Sequence, residues 1–417
     1  MLRTMKVIAI FLSLAFHAES LAFDNSGLKP FKIDLSSRVF HMRDLIARTR
    51  LPAEEVPAAK DSQNISISTG ISLDTLKELR QQWLTGFDWK KEETALNKLN
   101  HYIATIEGLD VHFVRKPAKV PNAIPIILLH GWPGSFLEML PLSNLLTVQD
   151  PNSSASNHTA FDVIIPSLPG YGFSSPAPDG WAIPDTARIF DKLMHNVLGY
   201  KTYAVHGTDW GSAVAYELYS QYNSTVRAAH LNFLPFLPYT VQQLEAANIT
   251  IAPEEIAAQA RSLDWGNSGN GYFIEQTTKP NTIGLALFDN PVGQLSWIAE
   301  KFIQWSDPRR GTGPSLLDNH EILREVSLYY LTGTITSSMY FYQQNPGAFS
   351  PVYSKANTDA PLLYSTFAYN IGFWPKGLVE LSGNLVSYKF HEFGGHFPAL
   401  DNPPALADDI RLIGKYW

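Results

Sequence analysis

Cysteine is absent from the 417 residues, which excludes disulfides, thiolate metal sites, iron–sulfur clusters and cysteine nucleophiles together. Charge is scarce as well. Asp, Glu, Lys and Arg make up 17% of the chain against 45% hydrophobic and 12% aromatic residues, the composition of a chain that buries a large core rather than of a disordered one. Positive charge is the rarer sign: 32 Lys and Arg face 39 Asp and Glu, for a net charge of -7. The basic footprint that a phosphate backbone requires is therefore missing, and nucleic acid is not expected as a partner. A bilayer span of about 20 apolar residues is missing from the N-terminal region too, because the run 7–16 (VIAIFLSLAF) is followed by His17 and Glu19. No stable membrane span is expected.

The same N-terminal stretch carries Arg3 and Lys6 before the apolar run, and Ser20 and Ala22 as small residues at the -3 and -1 positions of a cleavage site. That order is the pattern of a secretory signal peptide over residues 1–22. Asn-x-Ser/Thr sequons at Asn64, Asn152, Asn157, Asn223 and Asn248 fit passage through a secretory pathway, although such tripeptides also arise by chance. At roughly 150 residues per domain, the length allows two or three domains or one large enzyme fold with insertions.

Helical spacing over 72–84 behind Ser72 predicts a helix, and the N-terminal hundred residues read as mainly helical with Pro-rich connections. From Leu109 the pattern changes. Short β-rich runs at 111–115, 124–129 (IPIILL), 161–165 and 202–205 alternate with helical stretches such as 186–197, which implies a mostly parallel sheet with helices on both faces. Run 124–129 is apolar without alternation, as a strand buried on both faces should be. Between about 235 and 351 strands give way to Trp- and Tyr-rich helical sequence, the profile of an inserted cap. Strand-like runs return at 360–367 and 384–390 before a final helix near 404–416. The boundaries drawn from this are an extension over 23–100, a core over 101–235 and 356–417, and a helical cap over 236–355.

Three motifs carry chemistry. His130-Gly131-Trp132-Pro133-Gly134-Ser135-Phe136 follows the strand 124–129, where a Gly-rich turn can point backbone N–H groups at an oxyanion; an ordinary strand-to-loop turn has the same composition. Gly207-Thr208-Asp209-Trp210-Gly211-Ser212 lies between a strand and a helix, the context of a nucleophile elbow, with Asp where esterases place Ser. Taken singly, that Asp reads equally well as a helix N-cap. Gly394-Gly395-His396-Phe397 follows the last strand, where a catalytic His belongs when chain order runs nucleophile, acid, His. One His among 12 is weak; three motifs in this order, each at the C-terminal end of a strand in a parallel sheet, are not.

With these residues in place the chain resembles the microsomal-type epoxide hydrolases of the α/β-hydrolase superfamily, including their N-terminal extension, and looks like their secreted fungal branch. The likeness covers nearly the whole mature chain. It includes Phe87-Asp88-Trp89-Lys90, the run 106–113 (IEGLDVHF), HGWPGSF at 130, the run 166–174 (PSLPGYGFS), GTDWGS at 207, Thr278-Lys279-Pro280 and GGHF at 394. The resemblance implies an α/β-hydrolase core with a mostly parallel sheet, a helical cap insertion and an N-terminal extension. It also implies two cap tyrosines that activate the epoxide, which fall on Tyr272, in a Gly-Tyr pair before Thr-Lys-Pro, and on Tyr342, in a Ser-Ser-x-x-Phe-Tyr segment. Among 18 tyrosines, a packing role fits Tyr340 or Tyr329 better.

The residue types suit this chemistry. An epoxide opens at an sp3 carbon, so a Ser nucleophile would end as an inert ether, whereas Asp209 forms an ester that water can cleave. A phenol with a pKa near 10 can donate to the strongly basic departing alkoxide. His396 would then activate water while the backbone N–H groups of Trp132 and Trp210 hold the oxyanion. No metal or organic cofactor is needed; the implied partners are a small apolar epoxide and water. The Asp209-Trp210 pair also occurs in haloalkane dehalogenases, where the indole N–H holds a leaving halide. A non-catalytic binder, and a tailoring enzyme opening or cyclising a polyepoxide in secondary metabolism rather than acting in detoxification, are the remaining alternatives. One departure stands out. The family places Glu or Asp after the strand preceding the His-bearing one, and here the matching position holds Asn370, with Glu380 and Asp401 the nearest carboxylates along the chain. An Asn adds no negative charge and can hold the wrong imidazole tautomer. Hydrolysis of the ester is therefore expected to limit turnover.

Overall fold

The computed structural model describes residues 28–57, 69–149 and 159–417. The segment 1–22 read as a signal peptide and the sequons at Asn64, Asn152 and Asn157 lie outside them.

Among the described residues nine strands form one sheet: β1 (Leu28–Phe31), β2 (Asn100–Ile106), β3 (Leu109–Lys116), β4 (Ile124–Leu129), β5 (Phe161–Pro166), β6 (Tyr203–Gly207), β7 (Val226–Leu231), β8 (Pro361–Tyr369) and β9 (Asn384–Gly395). Their order across the sheet is β1-β2-β3-β5-β4-β6-β7-β8-β9. The pairs β1/β2, β2/β3 and β3/β5 are antiparallel, and everything from β5 to β9 is parallel. β4 sits between β5 and β6, and Ile126 to Leu129 are fully buried, which is why its sequence shows no polar alternation. The strand order reverses around β4 and β6, so their C-terminal ends open onto the crevice where such sheets bind ligands.

Between β7 and β8 the chain forms seven α-helices among the described residues, Val241–Ala246, Ile256–Asp264, Gly271–Thr278, Pro280–Phe288, Pro291–Gln304, Asn319–Thr332 and Ile335–Gln344. They make the lid over that crevice. The N-terminal extension clamps the lid. Ser72 caps the helix Leu73–Thr85 by accepting from Thr75 N–H, Leu76, Leu79 and Trp83 form its buried face, and the Trp83 indole donates to Ser327 Oγ (2.8 Å) in the lid helix Asn319–Thr332. Trp83→Ala should therefore cost about 3–5 kcal/mol of stability, read as a lowered urea midpoint. Trp83→Phe, which keeps most of the packing and loses the indole bond, should cost about 1 kcal/mol.

The extension differs from its sequence reading in one respect. It also supplies β1, whose four residues pair with β2 from Leu28↔Ala104 to Phe31↔His101. Pro30 disguises it, and an edge strand is where the missing proline N–H is tolerated.

Candidate active site

Asp209 stands at a sharp turn. β6 ends at Gly207, Thr208 is extended (φ -127°, ψ 152°), and Asp209 adopts φ +47° as the first residue of the helix Asp209–Gln221. The turn needs bare backbone on both sides: a Cβ on Gly211 would overlap the Leu129 carbonyl, and one on Gly131 would overlap the Asp209 carboxylate. Positive φ at a non-glycine residue is strain held by its surroundings. The helix-cap alternative fails here, because the cap position is Thr208 and the Asp209 carboxylate turns away from its own helix. Its Oδ1 accepts from the Trp132 backbone N–H at 2.7 Å. The Trp210 N–H belongs to the first turn of the same helix, where amides have no intrahelical acceptor.

His396 follows β9 and is fully buried. Its Nε2 lies 3.4 Å from Asp209 Oδ2, and its Nδ1 lies 2.9 Å from Asn370 Oδ1. Of the three residues considered as its support, only Asn370 touches the ring. Glu380 pairs with Lys376 at the surface (3.5 Å), and Asp401 accepts from Asp307 N–H and Ser315 Oγ while burial raises its pKa to about 6. The Asn370 amide is not free to turn. Its Nδ2 donates to the Asn232 carbonyl (3.0 Å) and its Oδ1 accepts from Ile371 N–H (2.8 Å). The oxygen must therefore face the imidazole and Nδ1 must carry a hydrogen, so that in the neutral ring it is Nε2, the nitrogen beside Asp209, that has the lone pair. The concern over the wrong tautomer is thus corrected: the bonds around Asn370 impose the right one, and only the negative charge is missing.

Tyr272 and Tyr342 are both buried and line a cavity of about 260 Å³ together with Asp209, Trp210, Phe233, Phe273 and Trp374. Their rings lie 6.1 Å apart, and Tyr342 Oη is buried without a hydrogen-bond partner among the described residues. Burial, with the Asp209 charge in support, pushes both phenols well above the usual tyrosine value, so both carry their proton in the resting protein. Tyr329 and Tyr340 do not join them. Tyr329 donates to the Gly134 carbonyl (2.9 Å) beneath the oxyanion turn, and Tyr340 bonds Asn281 at the lid surface. His130 is also structural. Burial lowers its pKa to about 4, its Nδ1 donates to the Gly131 carbonyl (3.0 Å) and its Nε2 accepts from Leu168 N–H (3.1 Å), which holds the turn.

One contributor, and one role of another, escaped the sequence reading. Trp305 accepts the His396 backbone N–H at 2.7 Å and sets its ring edge against the imidazole at 5.1 Å; no motif marks it. Trp132, singled out for its N–H, also stacks its ring on Tyr272 (5.1 Å, 11° between planes).

The geometry has close counterparts. The family described as "Epoxide hydrolase N terminus" matches residues 28–139, and the α/β hydrolase fold family matches residues 124–247. A putative epoxide hydrolase of Stigmatella aurantiaca is 36% identical over 389 residues, covering 92% of this chain and 84% of that protein. Epoxide hydrolase 1 of Sus scrofa is 34% identical over 414 residues, covering 94% and 89%. Among solved structures, the Aspergillus niger epoxide hydrolase aligns with a TM-score of 0.78 at 30% identity, over 95% of this chain and 99% of that one. The juvenile hormone epoxide hydrolase of the silkworm Bombyx mori aligns with a TM-score of 0.80 at 26% identity, over 93% and 94%.

Proposed function

The chain belongs to the epoxide hydrolases of the α/β-hydrolase fold, and from that premise we propose that it opens a small apolar epoxide to a vicinal diol through an ester on Asp209. The observation that carries the proposal is the division of the Asp209 carboxylate: Oδ1 is tied to the Trp132 N–H, and Oδ2 is left beside His396 Nε2 and the cavity. Oδ2 attacks an epoxide carbon, the C–O bond breaks, and Tyr272 or Tyr342 protonates the departing oxygen. His396 Nε2 then takes a proton from water, whose oxygen adds to Asp209 Cγ while the N–H groups of Trp132 and Trp210 hold the charge on Oδ1. Collapse expels Oδ2 on the substrate carbon, His396 protonates it, and the second proton of that water returns to the tyrosine. The sum is epoxide plus water to diol.

The cavity wall is aromatic and its volume small, which supports aryl and short alkyl epoxides over polar ones. A panel of styrene-type and long-chain epoxides with diol detection tests this reading, and a haloalkane panel run beside it should release no halide. Halide release without diol would move the proposal to the dehalogenase chemistry.

Asn370 sets the pace within this scheme. The right tautomer confines the handicap to the missing charge beside the imidazolium that forms during ester hydrolysis. Asn370→Asp restores that charge but sets its second oxygen against the Asn232 carbonyl, so it should speed ester decay by about 10-fold rather than by the roughly 10⁴ of a triad restored from the wrong tautomer. Stopped-flow of the decay phase after one turnover measures it; an unchanged decay would show that charge at this position is not limiting.

A place in the secretory pathway is supported by the N-terminal pattern and the sequons, of which Asn223 and Asn248 are exposed. A mass decrease on amidase deglycosylation of the secreted protein tests it.

A further inference from the structure

Beside the cavity stands a lysine for which the scheme above has no use. Lys301, on the lid helix Pro291–Gln304, is only 4% exposed. Its Nζ lies 5.1 Å from the centre of the Tyr272 ring and 5.0 Å from that of Trp297. Trp297 is itself tied by its indole N–H to Gln276 Oε1 (3.1 Å), so the ammonium sits in a fixed aromatic slot. The carboxylate of the neighbouring Glu300 pairs with it. Tyr272 is thus flanked by the stacked indole of Trp132, by Trp305 at 5.0 Å and by a cation.

A cation against a phenol ring is attracted by the π electrons, and more strongly as the O–H gives up its proton and the ring takes on phenolate character. Burial and the Asp209 carboxylate act on Tyr272 in the opposite sense, making the phenol a weaker acid. We propose that Lys301 is a positioning residue for ring opening, whose ammonium offsets the Asp209 charge on Tyr272 and selects Tyr272 as the stronger of the two proton donors. The inference rests on the epoxide-opening reading of the tyrosines.

The ammonium can be lost near neutral pH. Burial brings its pKa down to about 7. Tyr272, Glu300, Arg261, Asp264 and Arg310 are the titratable or charged groups that share the cavity of about 800 Å³ on this side of the ring, and Asp209 lies beyond Tyr272. Lys301 carries its charge below its own titration and loses it above, so ring opening should slow as pH rises through that range.

The test is the single-turnover rate of ester formation, followed by tryptophan fluorescence and intact mass from pH 5.5 to 9, in the full-length enzyme and in Lys301→Met, Lys301→Arg, Tyr272→Phe and Tyr272→Phe/Lys301→Met. The expected result is a rate that falls with rising pH in the wild type and is about 10-fold lower and flat in Lys301→Met at low pH. Lys301→Arg should hold the low-pH rate to pH 9. In the Tyr272→Phe background, Lys301→Met should change nothing further. If Lys301→Met keeps the wild-type pH dependence, or slows Tyr272→Phe by the same factor, the proposal is overturned. If Tyr272→Phe alone leaves ester formation at the wild-type rate, the donor role of Tyr272 falls instead, and the proposal with it.

Discussion

Asp209→Ala is expected to yield neither diol nor covalent adduct from any epoxide, a loss of at least about 10⁴-fold, on the scale seen when a covalent nucleophile is removed from a working triad. No neighbour can replace it. Among the described residues the Trp132 N–H and the His396 Nε2 converge on its two oxygens and on no other side chain, and a Cβ on Gly131 would overlap that carboxylate. His396→Gln should behave in the opposite way, since ring opening requires no base: one equivalent of ester forms and persists. Intact-mass measurement after mixing with excess epoxide separates the two, with an unmodified mass for Asp209→Ala and one adduct for His396→Gln. A full adduct on Asp209→Ala would mean that another residue is the nucleophile.

The double variant Tyr272→Phe/Tyr342→Phe is expected to lose about 10²–10⁴-fold in the rate of ester formation, the usual worth of a positioned general acid. The electrostatics explain why the loss should fall on this step. Burial, with the Asp209 charge in support, keeps both phenols protonated before reaction, and the supporting charge disappears as Oδ2 becomes an ester oxygen. Each phenol therefore becomes a better acid as the alkoxide needs its proton. Each single variant should lose less, with Tyr272→Phe the more damaged. Burst-phase kinetics measure the step directly; a double variant that forms ester at the wild-type rate would reduce both tyrosines to packing residues.

What the sequence made legible was what depends on neighbours in the chain. The apolar run of β4, the glycines around Asp209 and the helix cap at Ser72 are each written within a dozen residues, and the structure places them as read. The position of Asn370 was legible too, as the residue three places after the run PLLYSTF. Its orientation was not, because the carbonyl that holds its amide belongs to Asn232, 138 residues earlier, at the end of a strand two places away from β9 in the sheet. The same holds for Trp305, which meets His396 only once the lid is folded onto the sheet, and for Lys301, which meets Tyr272 only when two lid helices pack together. β1 was hidden by its proline and its four-residue length, for a strand that exists only because β2 offers it an edge.

The ester on Asp209 is tested most directly by one turnover in oxygen-18 water, with enzyme in excess over a styrene-type epoxide, followed by mass analysis of the diol and of the peptide containing Asp209. The diol should carry no label, because its two oxygens come from the epoxide and from Asp209 Oδ2, and the Asp209 carboxylate should gain one heavy oxygen. A labelled diol with an unlabelled Asp209 would mean that water attacks the epoxide directly, and the covalent account would be wrong.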